Sequence, residues 1–169
     1  MPYSYGFHDK FVKDYVEKNY ATGIKILDIG AGAGKYGQMF KDKYHVDAIE
    51  VFMPNIVQFK LHEIYKKVMC EDVKNFVCQK GIYQLAIMGD VLEHLRVDEA
   101  KAVLSNLHRA NIDCLVLVPY EYHQGASGGN QAEIHHQPDL TEKVFKERYP
   151  EFQLICGNNK QGVYFRSSK

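Results

Sequence analysis

Two stretches of this sequence carry residue types that could bind a ligand or move a proton. The first is glycine-rich and has the sequence DIGAGAG at residues 28–34. The second, residues 120–137, is called the long loop here and mixes glycines and aromatic side chains with His123, His135 and His136. Glycine lets the backbone approach a ligand closely, and a neutral imidazole can take a proton from a reacting group. We therefore expect a binding loop in the first stretch and reactive side chains in the second.

The glycine-rich stretch is compatible with more than one kind of ligand. Residues 32–37, GAGKYG, fit the G-x-G-x-x-G pattern of a dinucleotide site. A phosphate-binding P-loop is excluded, because Ile29 replaces its first glycine and Tyr36 replaces its Ser or Thr. The Asp28 carboxylate, two residues before Gly30, would place uncompensated negative charge near a pyrophosphate. A zwitterionic or cationic ligand therefore fits this loop better.

Alternating apolar segments place the glycine-rich stretch between a strand and a helix. Hydrophobic periodicity and turn residues predict seven strands, at residues 25–29, 46–51, 67–70, 83–88, 112–118, 152–156 and 162–166. The helical pattern predicts helices at residues 6–20, 35–43, 56–65, 73–79 and 97–109. A last helix is expected to begin at a capping box formed by Asp139 and Glu142 and to end before Pro150.

This alternation predicts an α/β fold in three layers, with a mainly parallel sheet and helices on both of its faces. The turn-rich residues 157–161 join the last two strands and predict a C-terminal antiparallel strand. Ligands of such sheets bind at the carboxyl ends of the strands, near the point where the strand order reverses. The length of 169 residues predicts a single domain over residues 1–169.

Four features together resemble the class I S-adenosylmethionine-dependent methyltransferases. Residues 28–34 match their D-x-G-x-G-x-G signature, Glu50 closes the second predicted strand, and Asp72 follows the third. The fourth strand runs into GDVLEHL at residues 89–95, which resembles the LEHL segment of the small-molecule branch of this family. The resemblance extends over nearly the whole chain. It implies a Rossmann-like fold, S-adenosylmethionine as the cofactor and methyl transfer by in-line displacement, and it favours a methyltransferase over a dehydrogenase.

The resemblance also implies which residues bind the cofactor. Glu50 would accept hydrogen bonds from both ribose hydroxyls, Asp72 would meet the adenine amino group, and the backbone around Gly89 and Asp90 would meet the methionine part. The full set of cofactor-binding residues that it implies is Asp28, Gly30, Ala31, Gly32, Gly34, Glu50, Val51, Asp72, Val73, Gly89 and Asp90.

Histidines are the predicted catalytic residues. A sulfonium methyl group is already electrophilic, so the enzyme mainly aligns the nucleophile with it, and a base is needed only for a hydroxyl or a protonated amine. His94, His135 and His136 are the predicted candidates. The long loop follows the fifth strand at the binding edge, and we interpret it as a lid over the methyl acceptor.

Two questions about these residues stay open at this stage. Glu93 and His94 either face the acceptor or cap the next helix. A metal site with His123, Glu133, His135 and His136 as ligands is conceivable, but neighbouring histidines on a loop are often simply solvated, so we predict no metal.

The acceptor is predicted to be a small molecule or a glycan, ahead of protein or RNA. Residues 89–92, GDVL, stand where DNA adenine methyltransferases carry (D or N)-P-P-(Y or F), and no Pro-Cys nucleophile is present. No insertion is large enough for a substrate-recognition domain. Lys plus Arg equals Asp plus Glu, at 21 each, which disfavours nucleic acid and anionic membranes as partners.

The remaining sequence features indicate where the protein is located, and they leave two other functions possible. No apolar run approaches the roughly 20 residues that span a bilayer, and residues 1–7 carry no signal-peptide pattern. Four scattered cysteines without a C-x-x-C pair are consistent with a cytoplasmic protein. Two other functions stay open: an NAD-type oxidoreductase, and a regulatory subunit that binds S-adenosylmethionine without catalysis.

Overall fold

A seven-stranded sheet organises the fold in a computed structural model that describes residues 6–126 and 128–169. The strands are β1 (Lys25–Ile29), β2 (His45–Ile49), β3 (Lys67–Met69), β4 (Leu85–Gly89), β5 (Asp113–Pro119), β6 (Gln153–Gly157) and β7 (Gln161–Arg166). Their order in the sheet is β3-β2-β1-β4-β5-β7-β6. Strands β1 to β5 run parallel, and β7 is antiparallel to both of its neighbours. The predicted mainly parallel sheet with a C-terminal antiparallel strand is thus confirmed.

Helices cover both faces of the sheet, as predicted. The helices are α1 (Asp9–Asn19), α2 (Lys35–Phe40), α3 (Met53–Gln58), α4 (Leu61–Ile64), α5 (Val97–Arg109) and α6 (Glu142–Arg148). Side chains alternate along β1, so that Ile26 packs in the core beneath α1, α2 and α4, whereas Leu27 packs in the core beneath α5 and α6. None of the helices in the described part of the chain is long and apolar enough to cross a membrane.

The helix predicted at residues 56–65 is instead two short helices, α3 and α4. Lys60 between them adopts the left-handed backbone conformation, with φ of 49°, which interrupts the ladder of helical hydrogen bonds. Ile56 and Leu61 are nevertheless buried on the same side of the sheet. The apolar spacing therefore identified the buried face correctly and missed the break.

The helix predicted at residues 73–79 was wrong, because these residues form a turn and an extended segment. The Asp72 side chain accepts the backbone N–H of Lys74 at 2.9 Å, and its carbonyl accepts that of Asn75 at 2.9 Å. Val73 and Phe76 pack on the core beneath α5, and this packing accounts for the helix-like apolar spacing. The local side-chain hydrogen bond of an aspartate thus favours a turn over a helix here.

The cap of α6 is Thr141, and the prediction of Asp139 was wrong. Thr141 Oγ1 accepts the backbone N–H of Val144 at 3.1 Å, as a helix N-cap does. Asp139 lies two residues earlier and forms two hydrogen bonds with the Arg148 guanidinium, at 2.9 and 2.5 Å. Asp139 therefore stabilises the last turn of α6 through Arg148.

The strand order brings two loops together at the carboxyl edge of the sheet. β2 and β3 lie on one side of β1, and β4 and β5 lie on the other, so the order reverses between β1 and β4. A Cβ built on Gly30 would lie 2.4 Å from Cγ2 of Val91, which shows how closely the loop after β1 approaches the loop after β4. This is the place where a ligand is expected.

Candidate functional site

A cavity of about 660 Å³ lies at the carboxyl ends of β1, β2, β4 and β5. Its volume is in the range of small-molecule and cofactor sites. Asp28 and Gly34, predicted to bind the cofactor, do not line it. The predicted catalytic residues His94, His135 and His136 all line it. The predicted cofactor-binding residues that line it are Gly30, Ala31, Gly32, Glu50, Val51, Asp72, Val73, Gly89 and Asp90.

The glycine loop turns by means of backbone conformations that favour glycine. Gly30, Gly32 and Gly34 have φ of 73°, 52° and 83°. The backbone N–H groups of Gly30 and Ala31 both donate to the Ile49 carbonyl, at 2.8 and 3.1 Å, and so attach the loop to the end of β2. Gly34 caps α2 behind the cavity wall. At Gly30 and Gly32 the loop therefore presents bare backbone to the cavity, beside the small side chains of Ala31 and Ala33.

Glu50 connects the glycine loop to the segment after β2. Strand β2 ends at Ile49, one residue before this glutamate, whereas the sequence predicted a strand through Val51. The Glu50 side chain is buried, and its Oε2 accepts the N–H of Gly32 at 2.7 Å while its Oε1 accepts the N–H of Phe52 at 2.9 Å. A carboxylate has about four lone-pair positions, so two remain for a ligand.

Asp28 supports the loop from behind. The Tyr65 hydroxyl donates to Asp28 Oδ2 at 2.5 Å and accepts the backbone N–H of Gly37 at 3.2 Å. Burial raises the pKa of Asp28 to about 7, an effect that the Tyr65 hydrogen bond opposes and the nearby Glu50 charge reinforces. The Asp28 carboxyl group therefore stabilises the glycine loop through Tyr65. It does not line the cavity, although the sequence predicted that Asp28 binds the cofactor.

Two further predicted acids line the cavity from the loops after β3 and β4. Asp72 is held by the turn hydrogen bond to Lys74 and by an ion pair with the Lys74 ammonium at 3.4 Å. Asp90 has a left-handed φ of 54°, and its Oδ1 accepts a hydrogen bond from Gln161 Nε2 at 2.9 Å. Both carboxylates are thus oriented by partners within the protein.

The end of the long loop is docked onto the turn that follows β4. The Glu93 carbonyl accepts two successive backbone N–H groups, from His136 at 2.9 Å and Gln137 at 3.1 Å. Gln137 Nε2 donates to the carbonyls of Leu92 at 3.1 Å and Leu95 at 3.0 Å. These four hydrogen bonds fix the histidine-bearing end of the loop against the cavity.

Two buried glutamines, Gln137 and Gln161, position the site and were not predicted from the sequence. Gln137 accepts the hydroxyl hydrogen of Tyr149 at 2.9 Å in addition to its two donated bonds. Gln161, at the start of β7, orients Asp90. Nothing in the local sequence pattern marks either residue, since their partners lie far away along the chain.

Glu93, His94 and His135 form a cluster at the cavity wall. One ligand-capable atom from each lies within 4.8 Å of the others. The rings of His94 and His135 meet edge to face with centroids 4.6 Å apart, and His135 Nε2 lies 4.0 Å from Glu93 Oε1. His135 Nδ1 lies 2.7 Å from the Tyr122 carbonyl, to which it donates, so its Nε2 carries the free lone pair. Glu93 and His94 both line the cavity, and the N-cap of α5 is Arg96, whereas contact with an acceptor stays a prediction.

Burial controls the protonation of this cluster. Burial, followed by the charge of Asp90, raises the pKa of Glu93 well above its usual range. Burial and the neighbouring His135 lower the pKa of His94 to about 4, and burial also lowers the pKa of His135. Both imidazoles are therefore neutral near pH 7, the form that accepts a proton or binds a metal.

The other two histidines of the long loop stand apart from the cluster. His136 lines the cavity but is exposed, and only its backbone contacts Glu93. His123 is exposed and does not line the cavity. The structure therefore assembles a different set of side chains from the metal ligands considered from sequence.

Comparisons of fold give clear likenesses where comparisons of sequence give none. No protein-family profile matches the chain, and a search of curated proteins found no match. The structure is similar to PH0226 protein from Pyrococcus horikoshii OT3, with a TM-score of 0.71, 13% identity and coverage of 96% of this chain and 88% of that one.

Two similar structures carry functional names. One is magnesium protoporphyrin IX methyltransferase from Synechocystis PCC 6803 with bound SAM (TM-score 0.65, 16% identity, 94% of this chain and 77% of that one). The other is 1,6-didemethyltoxoflavin-N1-methyltransferase from Burkholderia thailandensis with its substrate and S-adenosylhomocysteine (TM-score 0.67, 14% identity, 94% and 76%). The chain thus has the Rossmann-like fold of class I S-adenosylmethionine-dependent methyltransferases.

Proposed function

We propose that this chain binds S-adenosylmethionine in the cavity and transfers its methyl group to a small-molecule or glycan acceptor. The observation that carries the proposal is the contact between Glu50 and Gly32, because it places a buried carboxylate beside a loop of glycines and alanines in one cavity wall. A ribose diol could bind the two remaining lone-pair positions of Glu50. The glycines leave room for the rest of the nucleoside against the backbone.

The charge of the cavity fits a cationic or zwitterionic ligand. Acidic residues outnumber basic ones among the described lining residues, so a sulfonium is attracted and a pyrophosphate is disfavoured. The acids are Glu50, Glu71, Asp72, Asp90, Glu93, Glu99 and Glu133, and the bases are Lys35, Lys74 and Arg96.

The structural neighbours support the same ligand. The Synechocystis enzyme is described with SAM bound, and the Burkholderia enzyme with S-adenosylhomocysteine and a small aromatic substrate. Because the sequence identity to both enzymes is low, their acceptors do not identify the acceptor of this chain, which we propose separately. A small molecule is favoured because the described loops around the cavity are short apart from the long loop.

The residues of the chain divide into a cofactor group and an acceptor group. Bound S-adenosylmethionine supplies an electrophilic methyl group. Glu50, Asp72 and the backbone at Gly89 and Asp90 hold the cofactor in this proposal. The docked long loop holds the acceptor in line with the methyl group and excludes water, an alignment that can be worth roughly 7 to 11 kcal/mol.

The histidines of the acceptor group complete the proposed mechanism. His135 presents the lone pair of Nε2 to the cavity, while its Nδ1 is fixed by the Tyr122 carbonyl. His94 packs against it, and His136 stands at the exposed rim. These three side chains are the candidates for contact with the acceptor and for removal of its proton.

The two alternative functions are less well supported. In the doubly wound fold of NAD-dependent enzymes the strand order is 3-2-1-4-5-6, whereas here the antiparallel β7 lies between β5 and β6. A regulatory subunit would bind the cofactor without turnover. A regulatory subunit of this kind would have no use for neutral histidines as proton acceptors beside the cavity.

The proposal extends to the organisation and location of the protein. We treat residues 1–169 as one methyltransferase domain. All four cysteines, Cys70, Cys78, Cys114 and Cys156, are free thiols, which agrees with a cytoplasmic enzyme.

Calorimetry followed by a methylation screen tests the proposal. S-adenosylmethionine and S-adenosylhomocysteine should each bind with one site, while NAD and NADP at the same concentration should give no heat. Incubation with acceptor mixtures and S-adenosylmethionine should then produce a mass gain of one methyl group. Binding of NAD alone would contradict the proposal, and cofactor binding with no methylated product in any mixture would favour the regulatory subunit.

A further inference from the structure

We propose that Glu93, His94 and His135 bind a divalent first-row transition-metal cation at the acceptor end of the cavity. From the sequence no metal is predicted, and the ligands conceivable there, His123, Glu133, His135 and His136, all lie in the long loop. The fold assembles a different set, in which two ligands come from the turn after β4 and one from the long loop. Only tertiary structure brings His135 to the neighbouring Glu93 and His94.

The geometry of the three side chains is close to that of a coordination site. Their ligand-capable atoms all lie within 4.8 Å of one another. Metal–nitrogen and metal–oxygen bonds of about 2.1 Å place neighbouring ligand atoms roughly 3 to 3.5 Å apart, so rotations of the side chains by about 1 Å would close the site around a cation. The Tyr122 carbonyl fixes His135 in the tautomer whose Nε2 can coordinate.

The unsatisfied polar atoms of the cluster point independently to a ligand. The Glu93 side chain is 1% exposed, and neither of its carboxyl oxygens has a hydrogen-bond partner among the described residues. His94 Nδ1 is likewise buried without a partner in the described part of the chain. Buried polar groups in proteins are almost always satisfied, and a cation in contact with Glu93 and His94 would satisfy both.

The donor set indicates the class of metal. Two imidazoles and one carboxylate suit zinc and other first-row transition ions, whereas magnesium and calcium prefer all-oxygen ligands. Three protein ligands leave coordination positions open, as in catalytic metal sites. The cavity lies on the open side, so an oxygen of the acceptor can occupy one of these positions.

The role of the cation in catalysis rests on the methyltransferase function proposed above. Coordination lowers the pKa of a bound hydroxyl, so the acceptor releases its proton to solvent and remains as an alkoxide. The alkoxide oxygen then forms a bond to the methyl carbon, the sulfur–methyl bond breaks, and its electron pair stays on sulfur in neutral S-adenosylhomocysteine. In this arrangement His135 acts as a ligand, and the acceptor class is a hydroxyl compound.

Titration of the chelator-treated full chain with zinc, manganese, cobalt and magnesium chlorides tests the site. One equivalent of zinc, manganese or cobalt should bind, with magnesium weaker, and bound cobalt should show the visible spectrum of mixed nitrogen and oxygen ligands. Glu93→Gln and His135→Gln should each weaken binding at least tenfold. His123→Ala removes an exposed histidine of the same loop and should bind like wild type. Circular dichroism melts establish that each variant is folded. If Glu93→Gln does not fold, the affinity of His135→Gln for the metal tests the site.

The outcomes separate this inference from the proposed function. Wild-type protein without stoichiometric binding, or variants that bind like wild type, would overturn the metal site. Calorimetry with S-adenosylmethionine on the same samples tests the proposed function separately. Cofactor binding without metal binding rejects the metal site alone, whereas metal binding without cofactor binding keeps the site and rejects its role in methyl transfer.

Discussion

The backbone N–H of Gly32 donates a 2.7 Å hydrogen bond to Oε2 of Glu50, so one buried carboxylate holds the glycine loop against the end of β2. Glu50→Gln removes the charge and one acceptor oxygen, and we expect it to weaken S-adenosylmethionine binding by roughly 1.5 to 3 kcal/mol, the scale of hydrogen bonds to a charged group. Calorimetry gives the affinity. Asp47→Asn is the control, because Asp47 is a nearby buried acid that does not line the cavity. A larger loss with Asp47→Asn would contradict the assignment.

Gly30→Ala tests the close approach of the loops after β1 and β4. The new Cβ would lie 2.4 Å from Val91 Cγ2, so the Val91 side chain must move or the two loops must separate, and cofactor binding should weaken. Gly81→Ala is a matched control, since Gly81 also has a positive φ but has no atom within 4 Å of the added Cβ. Each variant loses about 1 to 2 kcal/mol for the left-handed conformation alone. Equal melting temperatures and unchanged affinity for Gly30→Ala would show that the contact is unimportant.

Substitution of the histidines of the long loop should slow methyl transfer without weakening the binding of S-adenosylmethionine. His135→Ala and His136→Ala should leave S-adenosylmethionine affinity nearly unchanged, because both side chains belong to the acceptor group. Methyl transfer should fall, by about 100-fold or more where the histidine acts as base or ligand. Rate measurements beside His123→Ala, which should behave like wild type, check this. Variants that only melt earlier, with transfer rates intact, would indicate that these side chains merely stabilise the loop.

Gln137→Ala should release the end of the long loop. It removes the hydrogen bonds to the carbonyls of Leu92 and Leu95 and from the hydroxyl of Tyr149, which should cost about 1 to 3 kcal/mol of unfolding free energy. Hydrogen exchange should accelerate at residues 128–137, and methyl transfer should slow more than cofactor binding weakens. Gln131→Ala changes an exposed glutamine of the same loop and should have little effect. Equal exchange in the two variants would show that the loop is held by other contacts.

Asp28 should make the protein less stable as the pH rises from about 4 to 7. Burial raises the pKa of folded Asp28 from 3.8 to about 7, so in this range the folded protein holds a proton that the unfolded chain releases. The contribution is complete below the unfolded pKa and is lost as the pH rises through the folded one, at up to about 1.4 kcal/mol per pH unit. Asp28→Asn cannot titrate and still accepts the Tyr65 hydrogen bond.

Denaturant unfolding at several pH values measures this dependence. The slope of unfolding free energy between pH 4 and 7 should be smaller in Asp28→Asn than in wild type. Asp42→Asn, which changes an exposed aspartate, should keep the wild-type slope. Identical slopes in all three proteins would mean that Asp28 is charged in the folded state.

Local sequence pattern was enough to predict most of the fold. Strand β1 and helix α5 follow from short-range apolar periodicity, because a buried strand and an amphipathic helix each impose a fixed repeat on their own residues. The pattern failed where a side chain redirects the backbone. Asp72 forms a turn with its own neighbours, and Lys60 interrupts a helical run, although the apolar spacing around both is that of a helix.

The sequence also predicted the positions of the cavity wall, because strand ends followed by glycines or acids occupy known places in a parallel sheet. It could not decide how Asp28 is used, since its motif position is the same whether its carboxyl group faces a ligand or Tyr65. The direction of that side chain depends on the packing of α4 and the following residues behind the loop.

The approach of His135 to Glu93 and His94 was decided by tertiary structure. Glu93 and His94 are neighbours in the sequence, whereas His135 lies about 40 residues further along the chain. Its approach depends on the docking of the long loop by Gln137, a residue that no local pattern distinguishes from a solvated glutamine. Secondary structure depends on neighbours in the chain, whereas this site depends on burial and hydrogen bonds between segments that are distant in sequence, and those forces act only once the chain has folded.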